Sequence, residues 1–400
     1  MKNFRTFIIL VIGVSFYCYE FFLRILTGAY QEQIVNYFNI STHIGFSFLI
    51  SSYNITYLIM QIPAGMLLDR FGSKRILITA TLICGAGNIL FIAGGFNLAI
   101  VGRLLVGIGS SFAFIGVLKL ALENFKPKYF SFIASIIISL GTLAAAFSQN
   151  VSVLISNYNT SWISIFIYSG IFALPLAILF QIFSPKEVQT IKLMPKFGQI
   201  YSASKNLIQD KKLWVNATWA GLIYIPTVVL TSQYGVLYFK QAYGFGDILA
   251  TALITSIFIG WVIFSPTKTL LADKFDTTKI INVCILGTII TIVIINFGIL
   301  KNYAIFLVFI FGAFSASQVL VWYYFNKICP QNFAAIGIAI TNMLITLVTE
   351  IGQLTVGLSI DIGNVINLAP KTSISVCFVT SLILGAIVFK KLNMKDKPIS

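Results

Sequence analysis

The chain has 400 residues, of which 58% are hydrophobic and only 10% are charged. A soluble domain of this length does not need so much apolar surface, whereas a lipid bilayer does, so the composition indicates a membrane protein. The net charge of +15 does not indicate a nucleic-acid partner, because the basic residues lie in short segments between apolar runs and form no basic patch.

Twelve apolar runs follow one another along the chain, and each is long enough to cross about 30 Å of hydrocarbon as a helix. Because backbone groups in lipid must be hydrogen-bonded within their own segment, the sequence predicts an all-α membrane protein with twelve transmembrane helices. The predicted spans are 5–30, 43–68, 75–95, 98–123, 129–155, 161–183, 213–239, 247–272, 278–299, 302–327, 333–360 and 371–391.

The loops between the spans differ in charge. Lysine and arginine are concentrated in alternate loops, and the positive-inside rule places those loops and both termini in the cytoplasm. The long basic connection at 184–212 separates six spans from six. We therefore expect an N-terminal six-helix bundle at 1–183, a cytoplasmic linker at 184–212 with a short amphipathic helix, and a C-terminal six-helix bundle at 213–400.

A charged loop between the second and third spans, at 65–75, recurs in weaker form at 269–279. Asp69 aligns with Asp273, and Arg70 aligns with Lys274. The two copies are separated by about half of the chain, so each half contains one copy. This spacing predicts that the chain is built from two repeated halves.

This loop resembles the signature of the major facilitator superfamily of secondary transporters, Gly-x-Leu-x-Asp-Arg-x-Gly-Arg-Lys/Arg-Lys/Arg. A second signature of that family, Arg-x-x-x-Gly-x-Gly, is matched in the fourth span by Arg103, Gly107 and Gly109. The resemblance covers the whole chain and implies two pseudo-symmetric bundles around a midplane cavity lined by spans 1, 4, 7 and 10. The residues that match the first signature are Gly65, Leu67, Asp69, Arg70, Gly72, Lys74 and Arg75.

The resemblance also implies a role for the loop. In this family the aspartate lies at the N-terminus of the eleventh helix, here near 331–334, and pairs with a loop arginine. A carboxylate in that position is stabilised by about 0.3–1 kcal/mol. We expect a cytoplasmic latch that favours the outward-open state, with a weaker counterpart at Asp273. The expected latch residues are Gly65, Asp69, Arg70, Gly72, Arg75 and Asp273.

Charged side chains at bilayer depth usually mark a pathway or a proton relay. At 1.5 Å per residue, Glu20 lies about 23 Å above the cytoplasmic face and Arg103 about 22–24 Å above it. We expect these two residues to pair, with Glu20 as the carboxylate that couples transport to a proton. A permanent structural ion pair is the alternative. Glu350 in the eleventh span is a second candidate for protonation.

Several side chains are candidates for substrate binding. Arg24, one turn above Glu20, either binds a substrate carboxylate or extends to the outer interface. Lys119, four residues before Glu123, is either a ligand contact or a partner of the latch. On other spans, polar side chains that share one face of the helix either face a cavity or form hydrogen bonds with neighbouring helices. The full set is Tyr19, Glu20, Arg24, Tyr53, Tyr57, Gln61, Lys119, Gln149, Tyr224, Gln233, Gln318 and Trp322.

A narrower resemblance concerns the segments 19–24, 61–63, 114–120 and 224–227. They look like those of a group from intracellular gamma-proteobacteria, similar to intraphagosomal amino-acid and nucleoside importers. This resemblance implies proton-coupled uptake of a small polar solute, with an amino acid favoured, across the bacterial cytoplasmic (inner) membrane. Glu20 and Arg24 would match the two charges of a zwitterion, although the same pair would serve an organic anion.

Two alternatives stay open. One is an exporter of a siderophore, drug or organic anion. The family's antiporters carry a proline-glycine motif in the fifth span, and its absence here counts against this alternative. The other is a transporter-like sensor that does not transport. The charged residues within the spans count against this alternative. The sequence has no nucleotide-binding loop, nucleophile triad or metal-ligand cluster. We therefore expect no enzyme activity, no cofactor and no metal, and a monomer in the bilayer.

Overall fold

The computed structural model describes residues 2–40, 43–156, 161–183 and 197–392. A few helical residues inside these ranges, Gln149 among them, have side chains that lie outside the described set. The first part of the expected linker, 184–196, also lies outside the described residues. The described chain is helical apart from short turns, which confirms the all-α prediction.

Contacts divide the chain into two compact units. Unit 1 comprises Met1–Phe125, Leu140–Leu207 and Pro330–Ile340. It holds nine helices, or most of each, among the described residues: α1 (Lys2–Ala29), α2 (Gln31–Tyr37), α3 (His43–Phe71), α4 (Ser73–Ile92), α5 (Phe96–Asn124), α6 (Phe130–Ser156), α7 (Trp162–Ile171), α8 (Ala173–Phe183) and α9 (Phe197–Gln209).

Unit 2 comprises Lys126–Ser139, Ile208–Cys329 and Thr341–Ser400. Its helices among the described residues are α10 (Lys211–Ser232), α11 (Gly235–Tyr243), α12 (Asp247–Ala272), α13 (Thr277–Asn296), α14 (Ala304–Ser315), α15 (Val321–Ile328), most of α16 (Ala334–Val365) and α17 (Pro370–Lys390). The start of α6 thus belongs to unit 2 and the start of α16 to unit 1.

Eleven segments among the described residues are long and apolar enough to cross a membrane, and they coincide with eleven of the predicted spans. The remaining predicted span corresponds to α3, which has 29 residues. This helix is long enough but less apolar, because it carries the polar strip Tyr53, Asn54, Tyr57 and Gln61. Such a strip needs partners in protein or water, and it reappears below at the candidate site.

Some predicted spans are interrupted. The span at 161–183 divides into α7 and α8 at Phe172, and the span at 213–239 divides into α10 and α11. In the tenth predicted span, a 3-10 turn at Ala316–Leu320 separates α14 from α15. By contrast, α3, α10 and α12 run on through Pro63, Pro226 and Pro266. Sequence periodicity alone does not distinguish these two outcomes, because packing of neighbouring helices decides whether freed backbone groups find new partners.

The core of unit 1 is aromatic at one end of its helices. Phe91 of α4 stacks on Phe166 of α7 with ring centroids 4.8 Å apart. Leu26, Tyr30 and Leu49 belong to the same buried cluster. Ala99 of α5 also belongs to this cluster, so the packing joins α1, α3, α4, α5 and α7 and holds together the helices that carry the candidate site.

Candidate functional site

The candidate site in unit 1 is centred on Tyr53 of α3, whose side chain is fully buried. Its hydroxyl donates a hydrogen bond of 2.9 Å to Oε2 of Glu20 on α1. Glu20 is itself only 1% exposed. A buried carboxylate needs such a donor, because desolvation without compensation is strongly unfavourable.

Two guanidinium groups lie against the same tyrosine. The Cζ atom of Arg103 on α5 is 4.8 Å from the centroid of the Tyr53 ring, and that of Arg24 on α1 is 5.8 Å from it. Arg24 is also 5.9 Å from the centroid of Tyr57, whose ring stacks on that of Tyr53. Cation–aromatic contacts of this kind contribute about 0.5–2 kcal/mol each. They hold two positive charges beside one tyrosine.

The predicted direct pair between Glu20 and Arg103 is wrong in its detail. Both side chains are described, and no ion pair joins them within the described contacts. Tyr53 lies between them instead, because it offers its hydroxyl to Glu20 and its ring face to Arg103. An NH group of Arg103 donates to the carbonyl oxygen of Leu23 at 3.2 Å, while its Nε has no partner among the described residues.

The charges of this cluster do not balance. Glu20 is the single carboxylate beside the two arginines, while Asp69 and Glu123, the other carboxylates of unit 1 with described side chains, lie at Lys119. Arg103 is 1% exposed, whereas Arg24 is exposed. With Glu20 ionised, the described side chains of the cluster therefore carry one excess positive charge, and the exposed member of the two cations is Arg24.

Two other candidates in unit 1 lie apart from these contacts. The hydroxyl of Tyr19 donates to the carbonyl oxygen of Ser169 at 2.8 Å, and its ring packs against Phe172, so Tyr19 holds α1 to α7 and α8. Gln61 is buried on α3, two turns beyond Tyr53. The side chain of Gln149, the α6 candidate, lies outside the described residues.

The aspartate of the loop motif lies at the first turn of α16, as the sequence predicts, while its role as a latch stays a prediction. The carboxylate of Asp69 accepts hydrogen bonds from the backbone amides of Ala335, at 3.3 Å, and Ile336, at 3.0 Å, in the first turn of α16. This is the favourable position for a negative charge on a helix. Gly65 lies directly against the same turn, since a Cβ atom there would be 2.8 Å from the carbonyl oxygen of Ala335.

The cation at the latch is Lys119 of α5 and not a loop arginine. Its Nζ atom is 2.8 Å from Oδ1 of Asp69 and donates to the carbonyl oxygen of Leu68 at 2.7 Å. Glu123, one turn later, lies 3.7 Å from Lys119 and accepts from the hydroxyl of Ser73 at 3.0 Å. Of the two roles expected for Lys119, the structure therefore favours the latch partner over the ligand contact.

The remaining loop residues have separate roles. Gly72 has a φ of 81° and lies between α3 and α4, in a conformation that glycine adopts without strain. The guanidinium of Arg70 lies 5.2 Å from the ring centroid of Phe71. Arg75 lies in the first turns of α4 and is exposed.

The second copy of the loop is built differently. Asp273 ends α12, and no hydrogen bond or ion pair engages its carboxylate within the described part of the chain. Partial burial raises the pKa of Asp273 above its usual value, and the nearby Lys327 opposes this shift. Asp276, which replaces Gly72, caps α13 through the amides of Thr278 and Lys279. Asp273 thus lacks, within the described residues, the contacts that engage Asp69, and a weaker latch at Asp273 stays a prediction.

In unit 2 the aromatic and amide candidates gather around the interruption between α14 and α15. Tyr224 of α10 lies 6.3 Å from Trp261 of α12, measured between ring centroids. Trp261 packs against Ala316 and Val319 in the 3-10 turn that contains Gln318. Trp322 follows one turn later and is 1% exposed. Sequence reasoning missed Trp261, although a tryptophan in the middle of a span was a usable signal.

Two candidates of unit 2 lie outside this group. Gln233 forms the C-cap of α10, about 13 Å along the helix from Tyr224, and is exposed. Glu350 of α16 is exposed, and no ion pair or hydrogen bond reaches it among the described side chains. The proton-coupling role of Glu350 stays a prediction.

Comparison with known proteins gives the same fold. The sequence model of the Major Facilitator Superfamily matches residues 8–353. The structure of the transporter FucP in the outward conformation superposes with a TM-score of 0.73 at 16% identity, covering 97% of this chain and 100% of that one. The proton:xylose symporter XylE superposes with a TM-score of 0.66 at 14% identity, covering 98% and 96%.

Two curated relatives match part of the chain. An uncharacterized transporter of Buchnera aphidicola is 30% identical over 53% of this chain and 54% of its own length. A probable sulfoacetate transporter, SauU, of Cupriavidus necator is 26% identical over 52% and 51%. The chain thus spans about half the length of the curated relatives it matches. From the family match and the fold, the chain belongs to the Major Facilitator Superfamily, a family of membrane transporters and not of enzymes.

Proposed function

We propose that this protein is a proton-coupled secondary transporter that takes up a small organic anion. The observation that carries the proposal is the excess positive charge around Tyr53, where two arginines face one carboxylate. Arginine recognises carboxylate and sulfonate oxygens with paired N–H donors. The name of the relative from Cupriavidus necator, a probable sulfoacetate transporter, agrees with an anionic substrate.

An amino acid is the second candidate, and the geometry favours it less than the sequence did. A zwitterion needs a free carboxylate for its ammonium group. Glu20 is 1% exposed and accepts the hydrogen bond of Tyr53, so it is already engaged. Its position one turn from Arg24 is what keeps the amino acid under consideration.

Proton coupling follows from the charges. Protonation of Glu20 removes the negative charge beside the two arginines and raises the excess from one positive charge to two. An anion then binds more tightly, and by linkage the bound anion favours the protonated form of Glu20. Proton and anion therefore bind together, which is the behaviour of a symporter.

The membrane topology completes the proposal. We place the chain in the bacterial cytoplasmic membrane with twelve spans, both termini in the cytoplasm and the two halves at 1–183 and 213–400 alternating around the solute. In this arrangement the contact of Asp69 with Lys119 and the start of α16 stabilises one of the two access states.

Flux measurements with the purified chain in proteoliposomes test the proposal. Labelled organic anions and amino acids are offered with an inwardly directed proton gradient, without a gradient and with the gradient reversed. Accumulation of an anion under the inward gradient supports the proposal. Accumulation only under the reversed gradient indicates an exporter, and absence of flux for every solute indicates a sensor that does not transport.

A further inference from the structure

A groove lies between α10, α16 and α17 in unit 2. Its volume is about 360 Å³, within the range of about 300–1,000 Å³ that is usual for pockets that hold a ligand. Glycines bring the three helices together around it. Gly385 of α17 lies against Leu222 and Ile223 of α10, and Gly352 of α16 lies against Ile225 of α10.

The lining of the groove suits an apolar occupant. Ile351 and Leu384 line it and are 54% and 46% exposed, so the groove is open at the protein surface. Two of the lining hydroxyls are already engaged, because Thr355 donates to the carbonyl oxygen of Ile351 at 2.8 Å and Ser381 donates to that of Phe378 at 2.9 Å. What these residues present to an occupant is therefore mainly hydrocarbon.

The groove lies at the depth of the lipid chains. Thr218 and Ile225, the lowest and highest of its lining residues on α10, lie about 10 and 21 Å along the helix from Lys211, where α10 begins. A span crosses about 30 Å of hydrocarbon. Trp214, near the start of α10, is 42% exposed, as is usual for a tryptophan at a membrane surface. An acyl chain of the surrounding bilayer is thus the apolar molecule that meets the groove.

Positive charge is concentrated just beyond one end of the groove. Lys211 and Lys212 begin α10, Lys390 and Lys391 follow at the end of α17, and all four side chains are exposed. No ion pair engages them within the described residues. Their acidic neighbour Asp210 is the N-cap of α10 and accepts from the backbone amide of Lys212 at 2.8 Å. These four cations are therefore available to an anionic group.

The two pairs of lysines lie near one level. The rings of Trp219 and Phe389, with centroids 5.0 Å apart, hold the start of α10 against the end of α17. Lys212 comes six residues before the first lining residue of α10, and Lys390 comes six residues after the last lining residue of α17, so each is about 9 Å from the groove along its helix. The headgroup layer of one leaflet is about 5–7 Å thick. The phosphate of a lipid whose chain fills the groove would lie among these cations.

We propose that the groove binds one acyl chain of an anionic phospholipid of the bilayer, and that Lys211, Lys212, Lys390 and Lys391 hold its headgroup. Lysines at the membrane surface attract anionic lipids, and each buried methylene of the chain adds to the binding. Because the bound lipid bridges α10 and α17, it stabilises the folded protein. The site is separate from the solute and stands whatever the protein transports.

Native mass spectrometry of the full chain, stripped of lipid in detergent, tests the headgroup. The protein is titrated with dioleoyl phosphatidylglycerol and with dioleoyl phosphatidylcholine, which have the same chains and differ in net charge. We expect the first retained lipid to be phosphatidylglycerol, with an affinity about tenfold higher or more. Lys211→Gln combined with Lys390→Gln should remove this preference. Lys126→Gln combined with Lys128→Gln, which removes two exposed cations before α6, should keep it.

A second pair of variants tests the groove. Thr380→Trp places an indole in the groove from an exposed position on α17, so binding of both lipids should weaken about tenfold. The control is Ile383→Trp on the same helix, a residue that is 48% exposed and does not line the groove, and it should bind both lipids as the wild type does.

Several results would overturn the inference. Equal affinity for the two lipids in the wild type removes the anionic headgroup, and unchanged binding in Thr380→Trp removes the groove. Glycerol 3-phosphate, which has a headgroup phosphate and no chain, should not displace phosphatidylglycerol, and displacement would indicate a site for free anions. A dimer that carries no lipid would show that a second copy of the chain covers this face.

Discussion

Tyr53 donates its hydroxyl hydrogen to Glu20 over 2.9 Å, and both side chains are buried. The same ring receives the guanidinium of Arg103 on its face at 4.8 Å. One tyrosine thus links the acidic and basic members of the cluster that the sequence had placed in direct contact. Because Tyr53 supplies the hydrogen bond to the carboxylate, it controls how easily Glu20 carries a charge.

Removing that hydroxyl provides the first prediction. Tyr53→Phe leaves Glu20 without its donor, and an unsatisfied buried carboxylate costs about 1–3 kcal/mol or more. We expect proton-driven uptake to fall by roughly tenfold, as measured by initial rates in proteoliposomes. Tyr168→Phe is the control, because it removes the hydroxyl of an exposed tyrosine on α7 and keeps the bond to Glu20. Equal losses in both variants would show that the hydroxyl of Tyr53 has no special part.

A second prediction concerns the accessible arginine. Arg24→Gln removes the excess positive charge, so uptake of an anion should fall by at least about tenfold. Arg24→Lys keeps the charge but loses the paired donors and should retain part of the activity. Lys240→Gln, which removes an exposed cation paired with Asp247 at 2.8 Å, should leave uptake unchanged. Full activity in Arg24→Gln would refute the anion-binding role.

The two copies of the loop supply a third prediction. Asp69 contacts Lys119 and two amides of α16, and hydrogen bonds of a charged group contribute about 1.5–3 kcal/mol. Asp273 has no comparable contact among the described residues. Asp69→Asn should therefore slow uptake roughly tenfold or more, while Asp273→Asn should stay within about twofold.

Lys119 gives an independent check of this assignment. A double-mutant cycle of Asp69→Asn and Lys119→Met should show strong coupling between the two substitutions, since the residues share one contact. A larger defect in Asp273→Asn than in Asp69→Asn would place the main latch in the second half of the chain and overturn the assignment to Asp69.

Helix packing at the latch leads to a fourth prediction. Gly65→Ala introduces a Cβ atom 2.8 Å from the carbonyl oxygen of Ala335, and such overpacking costs about 1–3 kcal/mol. The solubilised variant should lose its folded state at a lower temperature than the wild type. Gly28→Ala, another helical glycine with open space around its Cβ position, should equal or exceed the wild type. Unchanged thermal stability in Gly65→Ala would mean that α3 and α16 are not held closely together.

Sequence reasoning predicted an all-helical membrane protein and the contact of Asp69 with the start of α16, because hydropathy and the loop motif report directly on membrane crossing and chain reversal. It placed Glu20 and Arg103 at matching heights but could not see that the rotation of α3 inserts Tyr53 between them. The 3-10 turn at Ala316–Leu320 also escaped it. That interruption contains no proline or glycine, so it depends on packing against α12 and not on local propensity.

The substrate preference changed for a similar reason. From sequence, Glu20 and Arg24 were equivalent members of one helix face. Burial separates them, since Glu20 is 1% exposed and Arg24 is exposed. That difference is the reason why we propose an organic anion, and not a zwitterion, as the solute.

Proton coupling through Glu20 is the central claim, and Glu20→Gln tests it most directly. The measurement is anion accumulation in proteoliposomes at several external pH values, together with anion exchange in the absence of a gradient. Glutamine imitates the protonated side chain, so the variant should exchange the anion independently of pH yet no longer accumulate it under a proton gradient. Accumulation that remains driven by the proton gradient in Glu20→Gln would contradict the claim.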